Sequence, residues 1–408
     1  MHLLVYYLFL FAYYVSAKIA SLFSPKAKAW VEGRKTTAAR FRKFARSYNT
    51  EKKIWFHCAS LGEFEQARPV MQEVRAQYPN AKIILTFFSP SGYEVRKETP
   101  EADFVGYLPF DNPVSVSEFV ERMKPMLVFW VKYDFWYFAL KAIHDRNIPL
   151  ILFSANFRPD QVFFQPFAGK LHRKMLTFFT KIYVQNFKSQ DLLRSIGVDS
   201  ELAFDTRFDR VAAVAARPKT FDNILAFKGS KKLLVAGSTW KKDMELIAPL
   251  INEHRLNDWR ILIAPHHVDS ESIDETLAAL KVKKVLLSRL HEGNANDYDV
   301  VVANMIGSLS SIYNYADAAY VGGGFGVSVH NILEPAVYGK PIMFGPNFEK
   351  SQEAIDLIAE GGASIVTNTN ELEQRLSDQK FAVNARHNKD YVYAHTGGTS
   401  TILKGLSI

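Results

Sequence analysis

From residue 53 onward, short runs of apolar residues alternate with longer segments whose apolar positions recur every three or four residues. The runs Ile54–His57, Lys82–Phe88, Phe104–Leu108, Leu127–Val131, Pro149–Ser154 and Lys181–Val184 predict strands. Between them, Glu65–Gln77 and Phe135–Arg146 carry the helical period. A polar stretch with Pro and Lys, Arg217–Lys232, reads as a connection. The alternation then resumes at Leu233–Ala236, Arg260–Ala264, Lys284–Leu287, Val300–Ala303, Ala318–Val321, Pro341–Phe344 and Ala363–Val366. A strand that is apolar along its whole length has no solvent face, so these belong to parallel sheets covered on both sides. The pattern predicts an α/β protein of two Rossmann-like domains facing a central cleft, at residues 48–212 and 213–408.

The chain begins differently. Met1–Ala17 holds no acid and no Lys or Arg, Leu3–Val15 is almost wholly apolar, and Ile19–Phe23 extends the run past Lys18. A full bilayer span needs about 20 apolar residues. Tyr6, Tyr7, Tyr13 and Tyr14 suit the headgroup boundary. Next come Lys26, Lys28, Arg34, Lys35, Arg40, Arg42, Lys43 and Arg46 against Glu32 alone, a basic collar of the kind that stays cytoplasmic and attracts anionic lipid. Residues 1–47 therefore read as an anchor with its collar, spanning or lying in the membrane; the alternative is an amphipathic first helix with solvated charges. Nothing positive precedes the apolar run, which disfavours a cleavable signal peptide.

Net charge is +8 at pH 7, which calls for an anionic partner. Its concentration around the anchor points to an anionic membrane surface, and the chain shows no basic recognition helix or nucleic-acid motif. One cysteine, Cys58, excludes an intrachain disulfide.

In open parallel sheets ligands bind beyond the carboxyl ends of the strands. The richest such turn is Val321-Gly322-Gly323-Gly324-Phe325-Gly326, followed by a predicted helix bearing Glu334. Glycines let the backbone approach a phosphate, and a helix start adds N–H donors. Glu334 either accepts from ribose hydroxyls or caps the helix dipole. The Gly345-Pro346 corner one strand later favours a lined pocket. A second loaded turn is His57-Cys58-Ala59-Ser60-Leu61-Gly62-Glu63. Ser60 and Gly62 suit a tight turn, and Glu63 is either a general base or, more in keeping with spacing alone, a dipole cap. Neighbouring strand residues face opposite ways, so His57 cannot activate Cys58, which reads as packing. Ser238 and Thr239 offer donors to a phosphate, and His266 and His267 can meet base or phosphate. These histidines lack zinc-pair spacing, so no metal site is expected. Arg207 either meets a negative donor charge or forms a salt bridge.

Taken together, HCASLGE at 57–63, GST at 237–239, PHH at 265–267 and VGGGFGVSVHNILEPAVYGKPIMFGP at 321–346 resemble the 3-deoxy-D-manno-octulosonic acid (Kdo) transferases of lipopolysaccharide synthesis. The resemblance runs from the anchor to about Tyr391. It implies a GT-B glycosyltransferase that moves Kdo from CMP-Kdo to the tetraacylated lipid A precursor at the inner leaflet, with inversion and with no metal or other cofactor. It also implies Glu63 as the base, with Ser238, His267, Gly307, Asn331 and Glu334 on the donor side. Three positions depart from the family pattern. Lys132 stands for the first acid of a Glu-Thr-Glu segment whose second is matched by Asp134, Arg207 stands for a lysine, and His266 for an arginine. Two other classes compete: a nucleotide-sugar epimerase, which needs neither anchor nor collar, and a membrane-tethered nucleotide-binding protein, which needs no base.

Overall fold

The apolar runs do become strands. In the computed structural model, which describes residues 2–132 and 134–404, they form two seven-stranded sheets whose pairings are all parallel. The first contains β1 (Lys53–Cys58), β2 (Lys82–Phe87), β3 (Phe104–Tyr107), β4 (Leu127–Val131), β5 (Leu150–Ala155), β6 (Lys181–Val184) and β7 (Glu201–Leu202), in the order β3-β2-β1-β4-β5-β6-β7. The second contains β8 (Lys232–Thr239), β9 (Trp259–Pro265), β10 (Lys284–Leu286), β11 (Val300–Val302), β12 (Ala318–Val321), β13 (Ile342–Phe344) and β14 (Ala363–Ile365), in the order β10-β11-β9-β8-β12-β13-β14. Only β7 escapes the sequence pattern, because two residues at a sheet edge carry no periodic signal. Both faces are covered as parallel pairing requires: Trp55 and Trp130 lie in one core layer of the first sheet, Phe56 and Phe129 in the other.

The chain divides into two compact units, one reaching Asp209 and resuming at Gly397, the other Arg210–Thr396. Two boundaries differ from expectation. Arg217–Lys232 is no open connection: its helix Asp222–Lys228 sinks Ile224 and Phe227 into the second unit's core. Nor does the second unit run to residue 408. Helix Gly398–Lys404 docks on the first unit, burying Ile402 and Leu403 among the side chains around Ile54 and Phe64. Asp209 caps that helix from afar, accepting from Gly397 N (2.6 Å) and Thr399 N (2.7 Å).

The N-terminal segment belongs to the first unit. Helix His2–Ala20 lays one stripe on it: Leu10 enters the core and Tyr6 donates to Asp111 Oδ2 (2.6 Å), while Leu4, Leu8, Phe11 and Ile19 remain exposed. Ser24 and Pro25 then start helix Pro25–Ser47, which buries Trp30, Thr37, Phe41 and Ala45. Several collar cations are engaged with the first unit itself. Arg42 pairs with Glu118 through two 2.8 Å hydrogen bonds, Arg40 donates to Tyr93, and Arg34 stacks on Trp30.

In the first sheet the chain's direction of travel across the strands reverses between β1 and β4, and in the second between β8 and β12. Loops at such a reversal diverge and leave a crevice. Both chemically loaded turns fall there.

Replacing Asp209 by Ala removes both cap bonds and is expected to weaken docking of the last helix by about 1–2 kcal/mol. Hydrogen exchange across Gly398–Lys404 should then quicken roughly tenfold; unchanged exchange would show that the cap is inert.

Candidate functional site

In the first unit, β1 ends at Cys58 and helix Leu61–Gln77 begins after an extended Ser60. Glu63, in the helix's first turn, folds back so that its carboxylate accepts the N–H of Ala59. A helix-start carboxylate with such donors ordinarily titrates below its reference value. Here burial, and then the charge of Asp134, push the Glu63 carboxyl up to about 7, against Lys132 and the N–H groups of Ala59 and Ser60. Desolvation wins. A dipole at a helix start is worth about 0.3–1 kcal/mol, less than one pKa unit, and the rise exceeds that.

Asp134 follows β4, beside this turn. Its Oδ2 accepts from Trp136 Nε1 (3.0 Å) and lies 3.3 Å from Nε2 of the buried His57. Behind it, His57 Nδ1 lies 2.9 Å from the Thr86 hydroxyl, to which Trp55 Nε1 donates (2.8 Å). Burial lowers the His57 pKa, so the ring is neutral. Nε2–H then donates to Asp134, and Nδ1 accepts from Thr86. The sequence picked out Asp134 but dismissed His57 together with Cys58. Cys58 is indeed buried packing, its thiol pushed up by burial, on the opposite face of β1.

Lys132 has a left-handed backbone (φ 59°), and its charge reaches both Glu63 and the buried Asp205. Asp205 accepts from Gln66, Gln185 and Arg207, each within 2.9 Å. The Arg207 side chain therefore meets a protein carboxylate, the second of the two expected possibilities. A Cβ at Gly62 would touch only the Ser60 hydroxyl, 3.9 Å away. The tight-turn explanation for that glycine thus fails on local packing.

In the second unit, β8 ends at Ser238 (φ 55°) and at Thr239, whose buried hydroxyl has no partner among the described residues. Trp240 follows. Its indole donates to His330 Nε2 (2.8 Å), and the near-parallel rings of His266 and His330 lie 4.5 Å and 4.4 Å from their stacking neighbours Trp240 and His266. His267 stands edge-on to His266 at 4.7 Å. Burial and the other two histidines lower His266 to about 4, so it is uncharged at neutral pH. Sequence spacing did not foresee this cluster, because His330 and Trp240 are ninety residues apart.

The glycine turn also departs from expectation. Gly322-Gly326 leads through further turns into a helix of one turn, Leu333–Ala336, so no long helix dipole faces it. Its shape comes instead from Asp243, which accepts from Trp240 N (2.8 Å), the Tyr320 hydroxyl (2.6 Å) and Gly323 N (3.2 Å). Gly323 has φ 93°, and a Cβ on Gly324 would meet Gly345 N at 2.6 Å, so the two glycine corners pack backbone to backbone. Asn331 Oδ1 accepts Leu333 N (3.2 Å), and Glu334 on the short helix acts on the buried Tyr313, whose hydroxyl packs against Gly237. Gly307 has φ 80° with open space around it. The only hint of Asp243 in the sequence is its place three residues after Trp240, a capping spacing.

Asp134→Asn should lower the Glu63 titration midpoint by about a unit, and Lys132→Met should raise it. Carbon-13 NMR of the Glu63 carboxyl checks both signs; a midpoint indifferent to both would refute the electrostatic account.

Residues 35–210 match the family model described as 3-deoxy-D-manno-octulosonic-acid transferase (kdotransferase). The 3-deoxy-D-manno-octulosonic acid transferase of Aquifex aeolicus (strain VF5) is 27% identical over 336 residues, covering 81% of this chain and 86% of its own. That of Chlamydia trachomatis serovar A is 25% identical over 334 residues, covering 80% and 77%. Among solved structures, UDP-GlcNAc 2-epimerase from Neisseria meningitidis bound to UDP-GlcNAc superposes with a TM-score of 0.58 at 13% identity, covering 86% of this chain and 98% of its own. That likeness is one of fold, two Rossmann-like units of the GT-B type. The matching transferases and the family model carry more than fold, and together they support placing the chain with the 3-deoxy-D-manno-octulosonic acid transferases.

Proposed function

We propose that this chain moves Kdo from CMP-Kdo to a hydroxyl of the lipid A precursor, with inversion, without a metal, and with Glu63 as general base. The observation that carries the reading is the Glu63 carboxyl, raised to about 7 at the reversal point of the first sheet. A base poised near the operating pH combines a sizeable ionised fraction with useful proton affinity. The acceptor oxygen forms a bond to the anomeric carbon, its proton passes to Glu63, and CMP leaves with the electrons of the broken C–O bond. Ser60 and Gly62 border the acceptor, and the open space beside Gly62 supports close approach there.

Ser238, Thr239, His266, His267, Gly307, Gly323, Gly324, Asn331 and Glu334 are assigned to the donor. The unpartnered Thr239 hydroxyl supports a ligand contact in that unit. Neutral His266 offers a ring for stacking or a hydrogen bond, in place of the family's arginine charge. The pair that Arg207 makes with Asp205 supports a role in holding the end of the first unit together. The exposed apolar residues of helix His2–Ala20 and the lysines that follow support association with the cytoplasmic face of the inner membrane.

With CMP-Kdo and the lipid A precursor, Glu63→Ala and Glu63→Gln should cut CMP release by roughly 10²–10⁴-fold while circular dichroism stays unchanged. Only the deprotonated base works. The wild-type rate should therefore rise with pH up to about 7 and level off above it. Full activity in Glu63→Ala removes the base assignment, and conversion of a nucleotide sugar without any acceptor would favour an epimerase.

A further inference from the structure

Beside the proposed base lies a groove of about 410 Å³ that no step above uses. It runs between helices His2–Ala20 and Pro25–Ser47, lined by Tyr13, Ala17, Ala20, Ala27 and Trp30 and closed by Phe88–Pro90. Its walls are mainly small or aromatic, with Ser16, Ser24, Lys26 and Ser89 as the polar members. Two features give it a direction.

At one end it adjoins the apolar side of the first helix and its exit, where Ile19, Leu22 and Phe23 are exposed. At the other, Ser89 N donates to Ala59 O (2.8 Å), and Ala59 N donates to Glu63. Phe88, on the closing segment, stacks on Trp136 at 4.7 Å, and Trp136 donates to Asp134. One end thus meets the surface assigned to the membrane, and the other meets the acceptor turn.

Behind the wall between these ends lies unused polarity. Trp30 is 6% exposed, yet its indole Nε1 has no hydrogen-bond partner among the described residues, and neither does Arg34 Nε. The Arg34 guanidinium stacks on Trp30 at 3.6 Å and on Phe88 at 4.9 Å and donates to both of their carbonyl oxygens. Among the described residues no carboxylate pairs with it. Burial lowers its pKa to about 9, so it keeps its charge at neutral pH. A buried cation without a carboxylate partner, one layer behind the Trp30 wall, favours an anionic lipid over a neutral one in the groove.

We infer that this groove holds one acyl chain of the anionic lipid acceptor, with the Arg34 guanidinium, stacked behind the Trp30 wall, favouring the lipid's negative charge. The inference rests on the lipid-acceptor reading above and adds how the lipid is seated: the chain lies against Ala17 and Ala27, and the sugar emerges at Ala59–Glu63.

The test uses the full chain in phosphatidylglycerol vesicles, with two photoreactive lipids bearing a diazirine in an acyl chain. One is the acylated, phosphorylated disaccharide acceptor, the other phosphatidylglycerol itself. The acceptor probe should label Tyr13, Ala17 and Ala27, and phosphatidylglycerol should label only outward residues such as Phe11 and Phe23. Ala17→Phe, and separately Ala27→Leu, should lower kcat/KM for the acylated acceptor roughly tenfold or more, since each buried methylene is worth about 0.8 kcal/mol. Their rates on the deacylated, water-soluble disaccharide should be unchanged, which also reports intact folding. Labelling of the groove by phosphatidylglycerol as strongly as by the acceptor probe, labelling confined to Phe11 and Phe23, or equal losses on both acceptors would overturn the inference. If the wild type transfers to neither acceptor while the acceptor probe still labels the groove, the transferase reading fails and the groove survives as a lipid site.

Discussion

Parallel pairing with both sheet faces covered leaves very little room for polar chemistry inside either unit. Inner strands spend their main-chain groups on neighbours on both sides, and most of their side chains are apolar. Functional groups are forced to the carboxyl ends, where the ladder stops and the chain must turn into a helix. The backbone records the cost. Lys132 after β4, Ser154 near the end of β5 and Ser238 near the end of β8 all adopt left-handed conformations that a side chain normally avoids. The ladder shifts register beside Ser154 and Ser238. Strain of this sort persists only where surrounding structure imposes it.

Carboxylates hold these ends together, and their titration depends on what else is nearby. Asp205 is fully enclosed, yet Arg207 and the donors around it keep it below the ordinary range. Asp111 accepts from Tyr6 and from the N–H groups of Phe138 and Ala139, but no cation compensates its burial, and it rises to about 6. Glu63 rises to about 7, chiefly through burial, with Asp134 adding a like charge that Lys132 and the N–H groups of Ala59 and Ser60 oppose. Three buried acids thus diverge through the balance of burial, hydrogen bonds and charged neighbours, and only Asp205 has a cation paired directly with it. The lysine that departs from the family pattern becomes intelligible here, as a counterweight that keeps the Glu63 carboxyl near neutrality instead of higher.

The apolar face of the first helix links this chemistry to a surface. Tyr6 and Leu10 fasten the helix to the first unit, while its other side stays apolar and exposed. An isolated soluble unit gains nothing from that exposure. A protein whose proposed acceptor carries acyl chains has a use for it.

The strand positions, the doubling of the α/β pattern, the apolar first helix and the residues of both loaded turns were legible in the sequence, because burial on two faces and turn chemistry are written in neighbouring residues. The same local signals misled in three places. They led the glycine turn directly into a helix, made Arg217–Lys232 an open connection and ran the second unit to the C-terminus. Each error concerns a partner far along the chain: Asp243 for the glycines, the core around Ile224 and Phe227, and Asp209 for the last helix. What the tertiary structure alone decided was proximity. His57 with Thr86 and Asp134, Trp240 with His266 and His330, and Arg34 with Phe88 are pairings of long sequence separation. Because desolvation and charge act through space, the pKa of Glu63 could not be read from its place in a helix, only from what the fold puts beside it.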